Sequence, residues 1–180
     1  MKLSDSVVIH APPQRVWNAI TDPATWPDWN SKVVSVARTN PGPLEVGEIF
    51  NADFRLSGPP LPSQIKVRVL NPLRQLTVKQ RPEGRHRSRS VKIEYEMEME
   101  GTSTRVTQTT DITEAGLPFF ARWFMWFATR FGKAAGPSPL DGLKKHLETD
   151  ATKSAASETA SATPTTPEKA PETPDTKKSW

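Results

Sequence analysis

Val91-Lys92-Ile93-Glu94-Tyr95-Glu96-Met97-Glu98-Met99-Glu100 alternates without a break. Val91, Ile93, Tyr95, Met97 and Met99 take one face; Lys92, Glu94, Glu96, Glu98 and Glu100 take the other. A period of two sustained over this length marks a β-strand with one dry face and one wet face. Glu100-Gly101-Thr102 follows as a hairpin turn. Thr104 to Thr113 then returns with Val106, Gln108, Thr110 and Ile112 on one face. The sequence therefore predicts an antiparallel sheet whose dry face needs a cover.

Upstream, the same pattern repeats in shorter pieces. Leu3 to Ile9 reads as a strand with Leu3, Asp5, Val7 and Ile9 on one face. Lys32 to Arg38 carries Val34 and Val36. Glu48 to Leu56 sets Phe50, Ala52, Phe54 and Leu56 against Ile49, Asn51, Asp53 and Arg55. Ser57-Gly58-Pro59-Pro60-Leu61-Pro62 breaks that strand, and Ile65, Val67 and Val69 begin another. Asn71-Pro72 turns into a strand bearing Leu76 and Val78, which Arg81-Pro82-Glu83-Gly84 ends. Between the first two strands Pro13 opens a helix with Val16, Trp17 and Ile20 on its apolar side. Asp22 then caps a second short helix with Pro23 in its first position.

Downstream lies the expected cover. In Leu117-Pro118-Phe119-Phe120-Ala121-Arg122-Trp123-Phe124-Met125-Trp126-Phe127-Ala128-Thr129-Arg130-Phe131, residues Phe120, Phe124, Phe127 and Phe131 recur at i, i+4, i+7 and i+11, one stripe of a helix. Trp123 and Trp126 flank the stripe, so this helix needs a partner on more than one side. After Gly136-Pro137 the helix restarts, with Ser138 as N-cap and Asp141 three residues on. Leu140, Leu143 and Leu147 continue the stripe, and Lys144 and Lys145 are expected to face water. Antiparallel hairpins with a helix on the dry face make an α+β fold.

The chain has 180 residues, a size that suits one domain. It lacks cysteine, so disulfides and thiolate metal sites are excluded. Residues 1–149 hold 20 Lys+Arg against 15 Asp+Glu, a net of +5, too modest to imply nucleic acid. Residues 150–180 are rich in Ala, Ser, Thr, Pro, Glu and Lys and predict a disordered tail. The start of the chain has no signal-peptide pattern, and the aromatic stretch is shorter than the roughly 20 apolar residues a spanning helix needs. A soluble cytoplasmic protein is expected.

Val8-Ile9-His10-Ala11-Pro12-Pro13-Gln14-Arg15-Val16-Trp17-Asn18-Ala19-Ile20-Thr21-Asp22-Pro23, followed by Trp26-Pro27-Asp28-Trp29, resembles the opening of the START-like, or SRPBCC (Bet v 1-like), superfamily, and within it the polyketide cyclase/dehydrase branch. The closing Leu140-Asp141-Gly142-Leu143-Lys144-Lys145-His146-Leu147-Glu148 is similar to that family's last helix. The resemblance covers about residues 3–149. It implies a helix-grip fold: a seven-stranded antiparallel sheet wrapped around a long C-terminal helix, with two short helices after strand 1. It also implies a cavity between sheet and helix. Family members bind lipids, sterols and polyketides there, and some are cyclases. The fold alone assigns no reaction.

His10, His86 and His146 lack ligand spacing, so no metal and no cofactor is expected. The walls of the expected cavity are Phe50, Phe54, Val67, Val78, Ile93, Tyr95, Met97, Val106, Phe120, Phe124 and Phe127. Gln108 and Thr110 are polar where the pattern calls for apolar residues. Either they orient a ligand's carbonyl or hydroxyl beside Tyr95, or they bond to each other or to water. Trp26 and Trp29 either form a lid over the mouth or anchor the short helices. Arg81, Arg85, His86, Arg87 and Arg89 cluster at one hairpin turn; no aromatic interleaves them, as a nucleic-acid site would want. The leading expectation is a binder of a small, neutral, apolar molecule, with cyclase, dehydrase or transfer chemistry open. The rival is a non-catalytic interaction protein that presents the Trp123/Trp126 flank to a partner or a membrane surface.

Overall fold

The computed structural model describes residues 2–55, 58–84, 90–112 and 138–160, the last eleven as helix backbone. Seven strands form one antiparallel sheet: β1 (Lys2–Ile9), β2 (Val33–Ala37), β3 (Ile49–Phe54), β4 (Leu61–Asn71), β5 (Gln75–Pro82), β6 (Val91–Glu100) and β7 (Ser103–Asp111). Their order is β1-β7-β6-β5-β4-β3-β2. Strands β2 to β7 are thus a meander, and β1 closes it by pairing with β7. Two register shifts, at Val33/Ser35 and Val67/Val69, add the local bends that let such a sheet curl. Gly101 takes a φ of +61°, and the Gly101-Thr102 turn sets Glu100 opposite Ser103.

The chain leaves the sheet at one edge as β1 and re-enters at the other as β2. Helix α1 (Pro13–Thr21), a 3-10 turn (Pro23–Thr25) and helix α2 (Trp26–Trp29) make that crossing. Pro13 starts α1, and Val16, Trp17, Ala19 and Ile20 are its buried side. Asp22 ends it: its Oδ1 accepts from Ala24 N at 3.1 Å and starts the next turn. The two short helices therefore bridge one end of the concave face.

Helix α3 (Pro139–Ala160) lies over this corner. Ser138 caps it, its Oγ accepting from Leu140 N at 3.3 Å, and the same hydroxyl donates to Asp5 on β1. Leu140, Leu143 and Leu147 are buried, each stabilising by about 1.5–3 kcal/mol. Lys144 does not simply face water: its Nζ donates to the Val8 carbonyl at 2.9 Å. Glu148 accepts from His10 N at 3.0 Å, so two turns of α3 are tied to the end of β1. The helix runs to Ala160. The aromatic stretch 117–131, with Phe120, Phe124, Phe127, Trp123 and Trp126, lies outside the described residues. Residues 85–89 of the basic hairpin turn do too.

One close approach fixes how α3 sits. A Cβ on Gly142 would overlap the carbonyl oxygen of Trp29 and come 3.1 Å from its carbon. Only glycine allows the two backbones to touch there.

Candidate functional site

The concave face is assembled by register. Tyr95 stands opposite Leu76 on β5 and Gln108 on β7, Ile93 opposite Val78 and Thr110, and Met97 opposite Val106. On the other flank Phe50 pairs with Ile65 and Phe54 with Leu61. Phe50, Phe54, Ile65, Val67, Leu76, Val78, Tyr95, Met97 and Val106 are all buried. Met99 shares their face but is 73 % exposed, because β6 overhangs the end of β5 there. A cleft of about 790 Å³ lies beside this overhang, touching Pro13, Leu73, Met97, Met99 and Thr104.

The two tryptophans of α2 are used differently. Trp26 packs on Phe50 with ring centres 5.7 Å apart, and its indole N–H donates to the Ile20 carbonyl at 3.0 Å. It ties α2 to α1. Trp29 meets Tyr95 edge-on, 6.5 Å away at 83°, and its indole N–H is buried without an acceptor among the described residues. Burial pushes the Tyr95 phenol well above its ordinary value. The hydroxyl therefore stays protonated and can donate a hydrogen bond, but it is a poorer acid than free tyrosine.

Gln108 and Thr110 sit on the concave face as half-buried side chains. They do not bond to each other, and among the described residues neither has a hydrogen-bond partner. Beside them, Asp5 faces Gln108 across the β1–β7 ladder and holds the Ser138 hydroxyl. It is the charged residue of the concave rows; from β3 to β7 those rows carry none. The register thus gathers Tyr95, Met97, Gln108 and Thr110 into one neighbourhood, which Trp29 joins through its ring contact with Tyr95, while Trp26, Phe50 and Phe54 belong to the opposite flank.

A second polar pair escaped the sequence reading. Gln80 Nε2 donates to Ser63 Oγ at 3.2 Å, and Ser63 Oγ donates to the Leu61 carbonyl at 3.3 Å. Both follow the alternation that puts Leu76, Val78, Ile65 and Val67 inside, so the signal that found Gln108 was present for them as well. Thr104 is buried too, but its hydroxyl donates to the Ala11 carbonyl at 2.9 Å and joins β7 to the start of α1. His10 Nδ1 lies 3.0 Å from Ser103 Oγ, a hydrogen-bonded strand-end histidine. Among the described residues no cluster of three or more His, Asp or Glu is arranged to hold a metal ion. No helix among them is long and apolar enough to cross a membrane.

Comparison with known proteins fits this geometry. The sequence model of a family described as polyketide cyclase/dehydrase and lipid transport matches residues 1–148. No protein of curated function matches by sequence. Among solved structures, protein CV1439 of Chromobacterium violaceum superposes with a TM-score of 0.60 at 16% identity, over 82% of this chain and 96% of that one. DynU16, described as a putative protein of the dynemicin biosynthetic locus, gives 0.58 at 18%, over 83% of this chain and 48% of its own length. Ara h 8.0201 gives 0.56 at 10%, over 83% and 98%. At these identities the likeness is one of fold.

Proposed function

The chain belongs to the polyketide cyclase/dehydrase and lipid-transport family, and on that premise we propose that it binds a small, neutral, largely apolar molecule between the concave face and the C-terminal helix. One observation carries the reading. From β3 to β7 every described side chain of the concave rows is uncharged, and most are buried. An ionised headgroup buried unpaired there would be very costly, which favours a neutral ligand. Among the polar groups of these rows, Tyr95, Gln108 and Thr110 match the sparse polar contacts that orient a molecule in an apolar site. Phe120, Phe124 and Phe127, which the sequence spacing proposes for the facing wall, lie outside the described residues. Aromatic rings and Met97 suit a flat or irregular skeleton of polyketide, sterol or acyl type. Binding rather than catalysis is the primary role, because the Tyr95 phenol is held protonated and no base stands beside it among the described residues.

Titration with the neutral fluorophore N-phenyl-1-naphthylamine tests this. The expected result is enhanced, blue-shifted emission with a Kd of about 1 μM, near −8 kcal/mol. Emission that stays at its value in buffer up to the solubility limit would overturn the cavity reading.

A further inference from the structure

Trp29 is 4 % exposed, and its indole N–H has no acceptor among the described residues. An indole nitrogen donates and cannot accept, so only an acceptor atom can complete it. Buried donors in native proteins are nearly always satisfied, and one that is not asks for a reason. Trp26, three residues away on the same turn, shows that the local backbone supplies acceptors: its N–H reaches the Ile20 carbonyl. Trp29 has no such option of moving. Its own carbonyl is pressed against Gly142 of α3, and its ring is set edge-on to Tyr95 on the concave face.

We propose that the Trp29 indole N–H is the hydrogen-bond donor that selects the ligand, which therefore carries a neutral acceptor oxygen, of ketone, ester or ether type, at the end that meets α2. This rests on the cavity reading above and names the chemistry that reading leaves open. The oxygen is neutral because the concave rows of β3 to β7 offer no cation to pair with a carboxylate. It is an acceptor because the group it meets can only donate. Gln108, across the ladder from Tyr95, stands within the same neighbourhood and can donate from its amide to the same end of the molecule.

The test uses the full chain, labelled with 15N, and a matched pair of neutral probes, 2-acetonaphthone and 2-ethylnaphthalene. The Trp29 indole resonance is assigned through its contacts to Tyr95, the single tyrosine of the chain. The ketone should move the Trp29 indole proton downfield, and the hydrocarbon should leave it near its free position. Trp29→Phe keeps an aromatic ring without the N–H. It should weaken the ketone about tenfold and leave the hydrocarbon unchanged. If both probes bind but the Trp29 proton responds alike to each, the inference fails and the cavity reading stands. Binding of neither probe overturns both. The wild-type resonance decides the matter even where Trp29→Phe does not fold.

Discussion

The corner where α1, α2 and α3 meet and the β1–β7 flank of the concave face are built on opposite plans. At the corner Val16, Ile20, Leu140 and Leu143 have no exposed surface, and the backbones of Trp29 and Gly142 touch. Apart from the Trp29 indole N–H, its polar groups named above are spent on the protein itself: Trp26 on Ile20, Lys144 on Val8, Thr104 on Ala11. On the flank Gln108 and Thr110 are half-buried and unpartnered among the described residues, and Asp5 is exposed. Two polar side chains without partners among the described residues are a cost in folding and an asset in recognition, since an unmade hydrogen bond is what a ligand can satisfy. The comparison separates the part of the molecule that holds the fold from the part that is free to choose a ligand.

The sharpest way to break it is Gly142→Ala. In a helix interior this change normally stabilises by about 1 kcal/mol. Here the new methyl meets a backbone carbonyl, so the sign should invert, with a loss of about 3 kcal/mol. Urea unfolding followed by circular dichroism reads it. A gain in stability would mean that α3 does not rest on α2 as described, and the corner would lose its claim to be the rigid half.

Gln108→Leu probes the flank. Stability should change by no more than about 0.5 kcal/mol, because a half-buried side chain with no hydrogen bond is being replaced. Affinity for 2-acetonaphthone should fall by about 1 kcal/mol while 2-ethylnaphthalene is held as before, as only the ketone loses a hydrogen bond. Isothermal titration of the two probes separates the outcomes. Equal losses for both would assign Gln108 to packing and make the two regions alike.

The division was only half legible in the sequence. Alternation placed the strands and the inward set, because side-chain direction in a strand is a local property. Pro13, Asp22 and Ser138 marked helix starts for the same reason, since a cap acts within a few residues. The start of β4 was misplaced: Leu61-Pro62 looked like part of a break, yet it pairs with Phe54 and Asp53. A proline near a strand end loses little of the ladder, and composition does not reveal that. No local pattern marks Gly142, because its constraint comes from Trp29, a residue remote in sequence. The contrast between Trp26 and Trp29 was invisible as well. Both are large aromatics of one short helix, and only the packed structure decides which N–H finds a carbonyl. Alternation puts Asp5 on one face of β1 with Leu3, Val7 and Ile9, but its tie to Ser138 needs the tertiary fold.

The smallest effect is expected at Leu73, on the hairpin between β4 and β5, in the cleft that also touches Pro13 of α1. Leu73 has a φ of +59°, in the left-handed region that a side chain with a Cβ adopts at a cost of about 1–2 kcal/mol. The three-residue loop between Asn71 and Gln75 imposes it. Leu73→Gly relieves that strain but adds freedom to the unfolded chain, which returns about 0.5–1 kcal/mol of the gain. Leu73 is 39 % exposed, so only part of a leucine's full burial is forfeited. The net expectation is a stabilisation of about 0.5 kcal/mol, read as a higher urea midpoint at unchanged slope. Leu73→Val should go the other way by about 1 kcal/mol, since branching at Cβ makes a positive φ harder still. These paired signs locate the hairpin. If Leu73→Gly instead destabilises by 1 kcal/mol or more, the leucine is packing against α1, and the rigid corner extends out to the tip of the β4–β5 hairpin.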